Sequence, residues 1–211
     1  MISTLVAWLA SYLVGSIPTG YVLVQWIKRV DVRTVGSGNI GATNVTRIAG
    51  AGLGRLVFVL DAIKGLLAVW GFAPWLIHPL TPTMQLLCGL LAVLGHMFPV
   101  FLKFQGGKGV ATTIGIVAGT MPWVAAASLL VWVCGFFLTR YVSVASLAAA
   151  VVIPLGQLAT HRAPAEIGLG TLLALLIVMR HRANIDRLLH GREHRFHRKD
   201  AQERAERRHL S

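Results

Sequence analysis

The chain has 211 residues, 55% of them apolar, with a mean hydropathy of +0.66 and a formal net charge of +12. Its apolar residues come in runs too long for a water-soluble core, which excludes an ordinary cytosolic domain. The only cysteines, Cys88 and Cys134, lie within such runs, so neither a disulfide framework nor a cysteine-based metal site is expected. The sequence predicts an all-α, polytopic membrane protein, and its positive charge is read by membrane side, with no nucleic-acid partner expected.

The first run, 2–27, has no basic stretch before it and no small-residue cleavage pattern, and Lys28 and Arg29 follow it. It reads as a retained span with its N-terminus outside. Further spans are plain at 54–76, 82–102, 142–160 and 164–180. The stretch 110–139 is too long for one ordinary helix and short for two, and Gly119 and Pro122 punctuate it as a turn would. If it crosses twice, seven spans result. All but two of the 20 Lys and Arg then share one face with the loop at 28–55 and the C-terminus, the exceptions being Lys64 within a span and Arg162 on the other face. A single crossing would put the basic tail opposite the basic loops. Seven transmembrane helices, N-terminus out and C-terminus in, is therefore the expected topology, the fourth helix being short at about 12 residues or roughly 18 Å. Such a helix would tilt, thin the bilayer or be partly re-entrant. Trp26 at the inner boundary and Trp70, Trp75 and Trp123 at the outer one fit aromatic belts. Residues 1–193 make the membrane domain and 194–211 a basic cytoplasmic tail, a frayed helix or an arm lying near anionic headgroups.

In this topology the polar stretches fall on the cytoplasmic face. In "GSGNIGATNVTR" (36–47), Ser37, Asn39, Thr43 and Asn44 offer neutral hydrogen-bonding groups, Gly38 a bare backbone, and Arg47 a charged fork suited to phosphate. In "GGKG" (106–109), Gly106, Gly107 and Gly109 flank Lys108 at the mouth of the short span. Gly-rich backbone before a helix can turn N–H groups toward an anion, so both loops read as phosphate cradles, although short Gly-rich turns between membrane helices are also ordinary. The Walker spacing is absent. At the end of the last span His181 and Asn184 share a helical face. His181 suits a proton acceptor, a hydrogen-bond donor or an interfacial group, and Arg180, Arg182 and Arg187 read as topological arginines. Asp61 and Lys64, three apart within the second span, are expected to pair and to anchor the cytoplasmic loops, with a substrate-site role as the alternative. His96 is expected to bond a loop carbonyl. Ser143 and Ser146 open the sixth span, as exposed capping serines or as part of the same polar layer. Neither HExxH nor GxSxG occurs, so no metal site and no covalent serine chemistry is expected.

Together, "GSGNIGATNVTR", "DAIKG" (61–65), "GHMFPVFLKFQGGKGVATTIG" (95–115) and "RANIDRLLHGRE" (182–193) resemble, in order and spacing, the bacterial acyl-phosphate-dependent glycerol-3-phosphate acyltransferases of the PlsY family. The resemblance runs from about residue 10 to 193, with Gln105 standing where many relatives are expected to carry a basic residue. It implies transfer of a fatty acyl group from acyl phosphate to the 1-hydroxyl of sn-glycerol 3-phosphate in the bacterial inner membrane, the site facing the cytoplasm. The products are lysophosphatidic acid and phosphate, no cofactor is used, and membrane lipids and the enzyme that makes acyl phosphate are partners. It also implies a polar ring of Ser37, Arg47, Lys108, His181 and Asn184, supported by Gly38, Asn39, Thr43, Gly106, Gly107 and Ser146. A substrate phosphate takes the hydroxyl proton with His181 positioning it, or His181 is the base. An anion or phosphate-ester transporter and a membrane phosphatase are the competing classes.

Overall fold

In the computed structural model, which describes residues 1–196, the first apolar run is two helices, α1 (Ile2–Ser16) and α2 (Thr19–Lys28), rather than one span without a break. Pro18 has no N–H, its ring crowds the carbonyl one turn back, and Ile17 before it is extended at ψ 115°. A break of this kind strands backbone carbonyls, which hydrocarbon cannot satisfy. Lys64 Nζ donates to Ile17 O at 2.7 Å, ion-pairs with Asp61 Oδ1 at 2.6 Å, and the same Oδ1 accepts from Thr19 Oγ1 at 2.5 Å. The expected Asp61–Lys64 pair is present and buried, but it anchors the break in the first span rather than the cytoplasmic loops.

After α2 come a loop, the short helix α3 (Ala42–Ala49), and α4 (Ala51–Leu66). A π-helical turn, Leu67–Phe72, joins α4 to α5 (Ala73–Leu76), and Gln85 Nε2 donates to Val69 O within it at 2.8 Å. Helix α6 (Pro82–Met97) is capped by Thr81, whose Oγ1 accepts from Met84 N–H at 3.2 Å, and ends before Pro99.

The stretch 110–139 divides at Met121 into α7 (Val110–Thr120) and α8 (Pro122–Thr139), as Gly119 and Pro122 predicted. The indole of Trp70 donates to Gly119 O at 2.6 Å, and Arg162 Nη2 donates to Thr120 O at 3.3 Å, so both carbonyls at the break are partnered. Helix α7 is only 11 residues long, and it lies inside the bundle because α4 and α7 meet through glycines. A Cβ on Gly115 would overlap the Ala62 backbone, and one on Gly65 the Thr112 backbone. The chain ends with α9 (Val142–Ala159), α10 (Pro164–Arg180) and α11 (Arg182–Leu189), the last two bent by 57° at His181.

The helices are apolar on both sides. Met97, Ile116, Leu173 and Ile177 are buried, whereas Leu130, Leu138, Met179, Trp75 and Trp123 are exposed on the outside. Such a surface fits hydrocarbon. By length and composition, five helical runs qualify as membrane spans, and the bent pair α10–α11 makes a sixth. The basic tail expected at 194–211 lies outside the described residues from 197 onward.

Candidate active site

The first polar loop is shaped by its own side chains. Gly36 and Gly38 take left-handed conformations, φ 65° and 68°, which a side chain would strain. Asn44 is buried and fully committed: its Oδ1 accepts from Ser37 N–H at 2.9 Å, and its Nδ2 donates to Val32 O at 3.2 Å and Val35 O at 3.0 Å. It staples the loop to α3, and although it borders the cavity described below, both hydrogens of its Nδ2 are already given to backbone carbonyls. Asn39 Oδ1 accepts from Gly41 N–H at 2.8 Å, a turn that starts α3. Gly38 N–H goes to Val35 O, and this glycine does not line the cavity described below.

The second loop differs from expectation. Gly106 N–H donates to Met97 O and Gly107 N–H to His96 O, at 3.2 and 3.0 Å, so these amides close the end of α6. Their carbonyls accept from Arg180, Gly107 O from Nε at 3.0 Å and Gly106 O from Nη2 at 2.8 Å. The cradle expected of Gly106 and Gly107 is therefore not open to an anion. Their lack of side chains serves close packing, since a Cβ on Gly107 would meet the His96 imidazole and one on Gly106 the His96 and Met97 carbonyls. The cavity instead meets the next residues, Lys108 and Gly109, and the first turn of α7, whose leading N–H groups have no helical partners.

One cavity of about 120 Å³ collects the remaining predicted residues. Ser37, Asn39, Thr43, Asn44 and Arg47 line it from the first loop and α3, Lys108 and Gly109 from the second, Ser143 and Ser146 from α9, and His181 and Asn184 from the α10–α11 bend. The serines are buried rather than exposed caps: Ser143 Oγ donates to Glu193 Oε1 at 3.0 Å, and Ser146 Oγ accepts from the Trp132 indole at 3.2 Å. Phe58, Trp132 and Val142 give the cavity an apolar side. Asp61 and His96 also border it. His96 Nδ1 lies 3.7 Å from Asp61 Oδ1 and bonds no loop carbonyl.

His181 is buried, and its Nδ1 is 2.8 Å from Ile177 O. A carbonyl only accepts, so Nδ1 carries a proton, and in the neutral ring Nε2 holds the lone pair. Lys108 Nζ donates to Asn184 Oδ1 at 2.5 Å, and Asn184 Nδ2 donates to Glu193 Oε1 at 2.7 Å. Arg187 Nε completes the set on Glu193 Oε2, also at 2.7 Å. Burial pushes the Lys108 ammonium down to about 8; Glu193 opposes this, and Arg187, Arg47 and Arg180 reinforce it. Burial also lowers Arg47, against the pull of Glu193. Burial acts to raise the Glu193 carboxyl, but hydrogen bonds from Asn184, Arg187 and Ser143 outweigh it and hold the group below its ordinary value.

Sequence reading missed what Glu193 and Arg180 do here: Glu193 was given no role, and Arg180 was read as topological alone. Glu193 had a signal, being the acid that closes a motif rich in arginine. Arg180 had none, because the positive-inside rule accounts for it equally well.

A family model described as Glycerol-3-phosphate acyltransferase matches residues 5–191. Among curated relatives, a glycerol-3-phosphate acyltransferase of Myxococcus xanthus is 50% identical over 188 residues, covering 89% of this chain and 97% of that one. Another, of Aquifex aeolicus, is 48% identical over 192 residues, covering 88% and 95%. Among solved structures, the crystal structure of PlsY (YgiH), an integral membrane glycerol 3-phosphate acyltransferase, superposes in its glycerol 3-phosphate form with a TM-score of 0.85. It is 44% identical and covers 95% of this chain and 98% of that one. Its lysophosphatidic acid form gives a TM-score of 0.81 at 43% identity, covering 92% and 96%. With the family matched over nearly its whole length, this chain belongs to the glycerol-3-phosphate acyltransferases.

Proposed function

We propose that this enzyme moves a fatty acyl group from acyl phosphate to the 1-hydroxyl of sn-glycerol 3-phosphate, giving lysophosphatidic acid and inorganic phosphate. The observation that carries the reading is that Arg47, Lys108 and an apolar wall of Phe58 and Trp132 share one cavity. A donor with a lipid tail and a phosphate head, and a doubly charged acceptor, need such a mixed site. The forms of the solved relative, one with glycerol 3-phosphate and one with lysophosphatidic acid, agree with that acceptor and product.

In this mechanism Arg47 and Lys108 offset the repulsion between two anionic substrates and stabilise charge as phosphate leaves. Ser37, Asn39 and Thr43 with the first turns of α3 and α7 supply neutral donors, and Gly109 lets the backbone approach. Ser143, Ser146 and Asn184 complete the ring. The acceptor hydroxyl oxygen attacks the acyl carbon, the bond from that carbon to the phosphate oxygen breaks, and the hydroxyl proton passes to a substrate phosphate. His181 orients the acceptor. Acyl phosphate is a mixed anhydride with a good leaving group, so alignment can supply much of the acceleration, roughly 7 to 11 kcal/mol for well-placed reactants.

The site faces the cytoplasm of a bacterial inner membrane, with residues 1–193 as the catalytic domain. Counting α1–α2, α4–α5, α6, α7, α8, α9 and α10 as crossings gives seven, N-terminus out and C-terminus in, which gathers nearly all Lys and Arg on the inner face. Purified protein in detergent tests the reaction: phosphate release from palmitoyl phosphate depends on glycerol 3-phosphate and matches lysophosphatidic acid formed. Release without the acceptor would indicate a phosphatase, and vesicle uptake without a lipid product a transporter. Cysteines placed at Ser37 and Lys108 must be labelled from the same side.

A further inference from the structure

We infer that Arg180 is a positioning residue for the reaction, fixing the main chain from which Lys108 reaches the substrate. The inference rests on the reading of Lys108 as a phosphate-binding cation. Arg180 ends α10, where a basic residue needs no other reason than the membrane boundary. An arginine serving topology alone extends its head toward water or headgroups. This one turns its guanidinium onto two adjacent peptide groups, Nε on Gly107 O and Nη2 on Gly106 O, and sets its Cζ over Phe98, 5.3 Å from the ring centroid.

The two glycines are thereby held by all four of their backbone polar groups, their N–H by the end of α6 and their carbonyls by Arg180. Lys108 follows immediately, and its Nζ is caught by Asn184 in the first turn of α11, just past the bend that follows Arg180. The α10–α11 bend therefore grips Lys108 twice: Arg180 sets where its backbone stands and Asn184 where its ammonium points. Two parallel donors from one planar group suit two adjacent carbonyls. An ammonium on a flexible stem cannot present the same fork. Removal of the guanidinium leaves two carbonyls unpartnered, and the Gly106–Gly107 segment re-orients to find others.

The test is a double-mutant cycle on purified enzyme, reading kcat/KM for glycerol 3-phosphate from lysophosphatidic acid formed. Arg180→Gln should lose at least about tenfold while its thermal transition in detergent stays close to that of the parent enzyme. In a Lys108→Ala background the same change should cost less than about twofold, because the group it positions is gone. Arg180→Lys, which keeps the charge and loses the fork, should behave as Arg180→Gln does, and it takes that variant's place in the cycle if the glutamine protein does not fold. Losses that multiply in the double variant would overturn the inference, as would an Arg180 variant within about twofold of the parent enzyme. Near-normal turnover of Lys108→Ala would instead sink the reading of Lys108 itself, so the two failures are distinguishable.

Discussion

Asn184 Nδ2 donates to Glu193 Oε1 at 2.7 Å, drawing the chain after α11 back over the site. The same carboxamide accepts from Lys108 with its oxygen, so it stands between a cation and an anion with one hydrogen-bonding group turned to each. Neither half can be exchanged without cost. Asn184→Asp sets a second carboxylate against Glu193, and kcat/KM should fall about 10²-fold. Adding Glu193→Gln restores a donor on the opposite side, and steady-state assays of lysophosphatidic acid should recover at least about tenfold. No recovery would show that this contact is not what the first change breaks.

Lys108 carries a pH prediction with a definite sign. Its pKa is lowered to about 8 by burial. A cation is present below its pKa, so its contribution is full in acid and is lost as pH rises through that value. The kcat/KM profile for glycerol 3-phosphate should therefore show an alkaline limb near pH 8, and Lys108→Arg, if active, should lack it up to about pH 10. Glu193 holds the proton on Lys108, so Glu193→Gln should move the limb to lower pH. Movement to higher pH would contradict the electrostatics given for this pair.

Two residues three apart in α3 should fail in different ways. Arg47 borders the cavity, and Arg47→Ala should cut turnover about 10²-fold or more with little change in the detergent melting curve. Asn44→Ala opens the staple between the loop and α3, costing about 1–3 kcal/mol of stability and lowering the melting temperature. The Asn44→Ala protein that remains folded should keep its KM for glycerol 3-phosphate. If KM rises sharply with an unchanged melt, Asn44 contacts substrate after all.

The Asp61–Lys64 pair at the α1–α2 break gives a prediction about folding. Lys64→Met strands a buried carboxylate and the Ile17 carbonyl together and should destabilise by roughly 3–5 kcal/mol. In Asp61→Leu/Lys64→Met the carboxylate is gone, and thermal denaturation in detergent should show part of that loss recovered. A double variant less stable than Lys64→Met alone would reject this account.

What the sequence made legible follows from the range of each signal. The all-helical, membrane-type character and the division of 110–139 rest on local properties, hydropathy and the placing of Gly119 and Pro122, and they could be read directly. So could the convergence of Arg47, Lys108, His181 and Asn184, because charge by membrane side had already put their loops on one face. The break at Ile17 was less visible, because Pro18 sits in a run that stays apolar across it, and the side chain that makes the break tolerable, Lys64, lies 47 residues on. Gly106 and Gly107 show the other limit. A glycine pair beside a lysine looks the same whether its amides face an anion or the end of a neighbouring helix, and only the partners His96, Met97 and Arg180 distinguish the two.

The brevity of α7 has a consequence of its own. A membrane-crossing helix takes about 20 residues, and this one has 11. The turns it omits leave a hollow at its N-terminal end, walled by protein because α7 is enclosed by its neighbours. The proposed reaction chamber thus occupies the place of helix that the chain never builds. In the proposed reaction, such a recess would admit a water-borne acceptor without a pore and let a donor with a lipid tail meet it from the side.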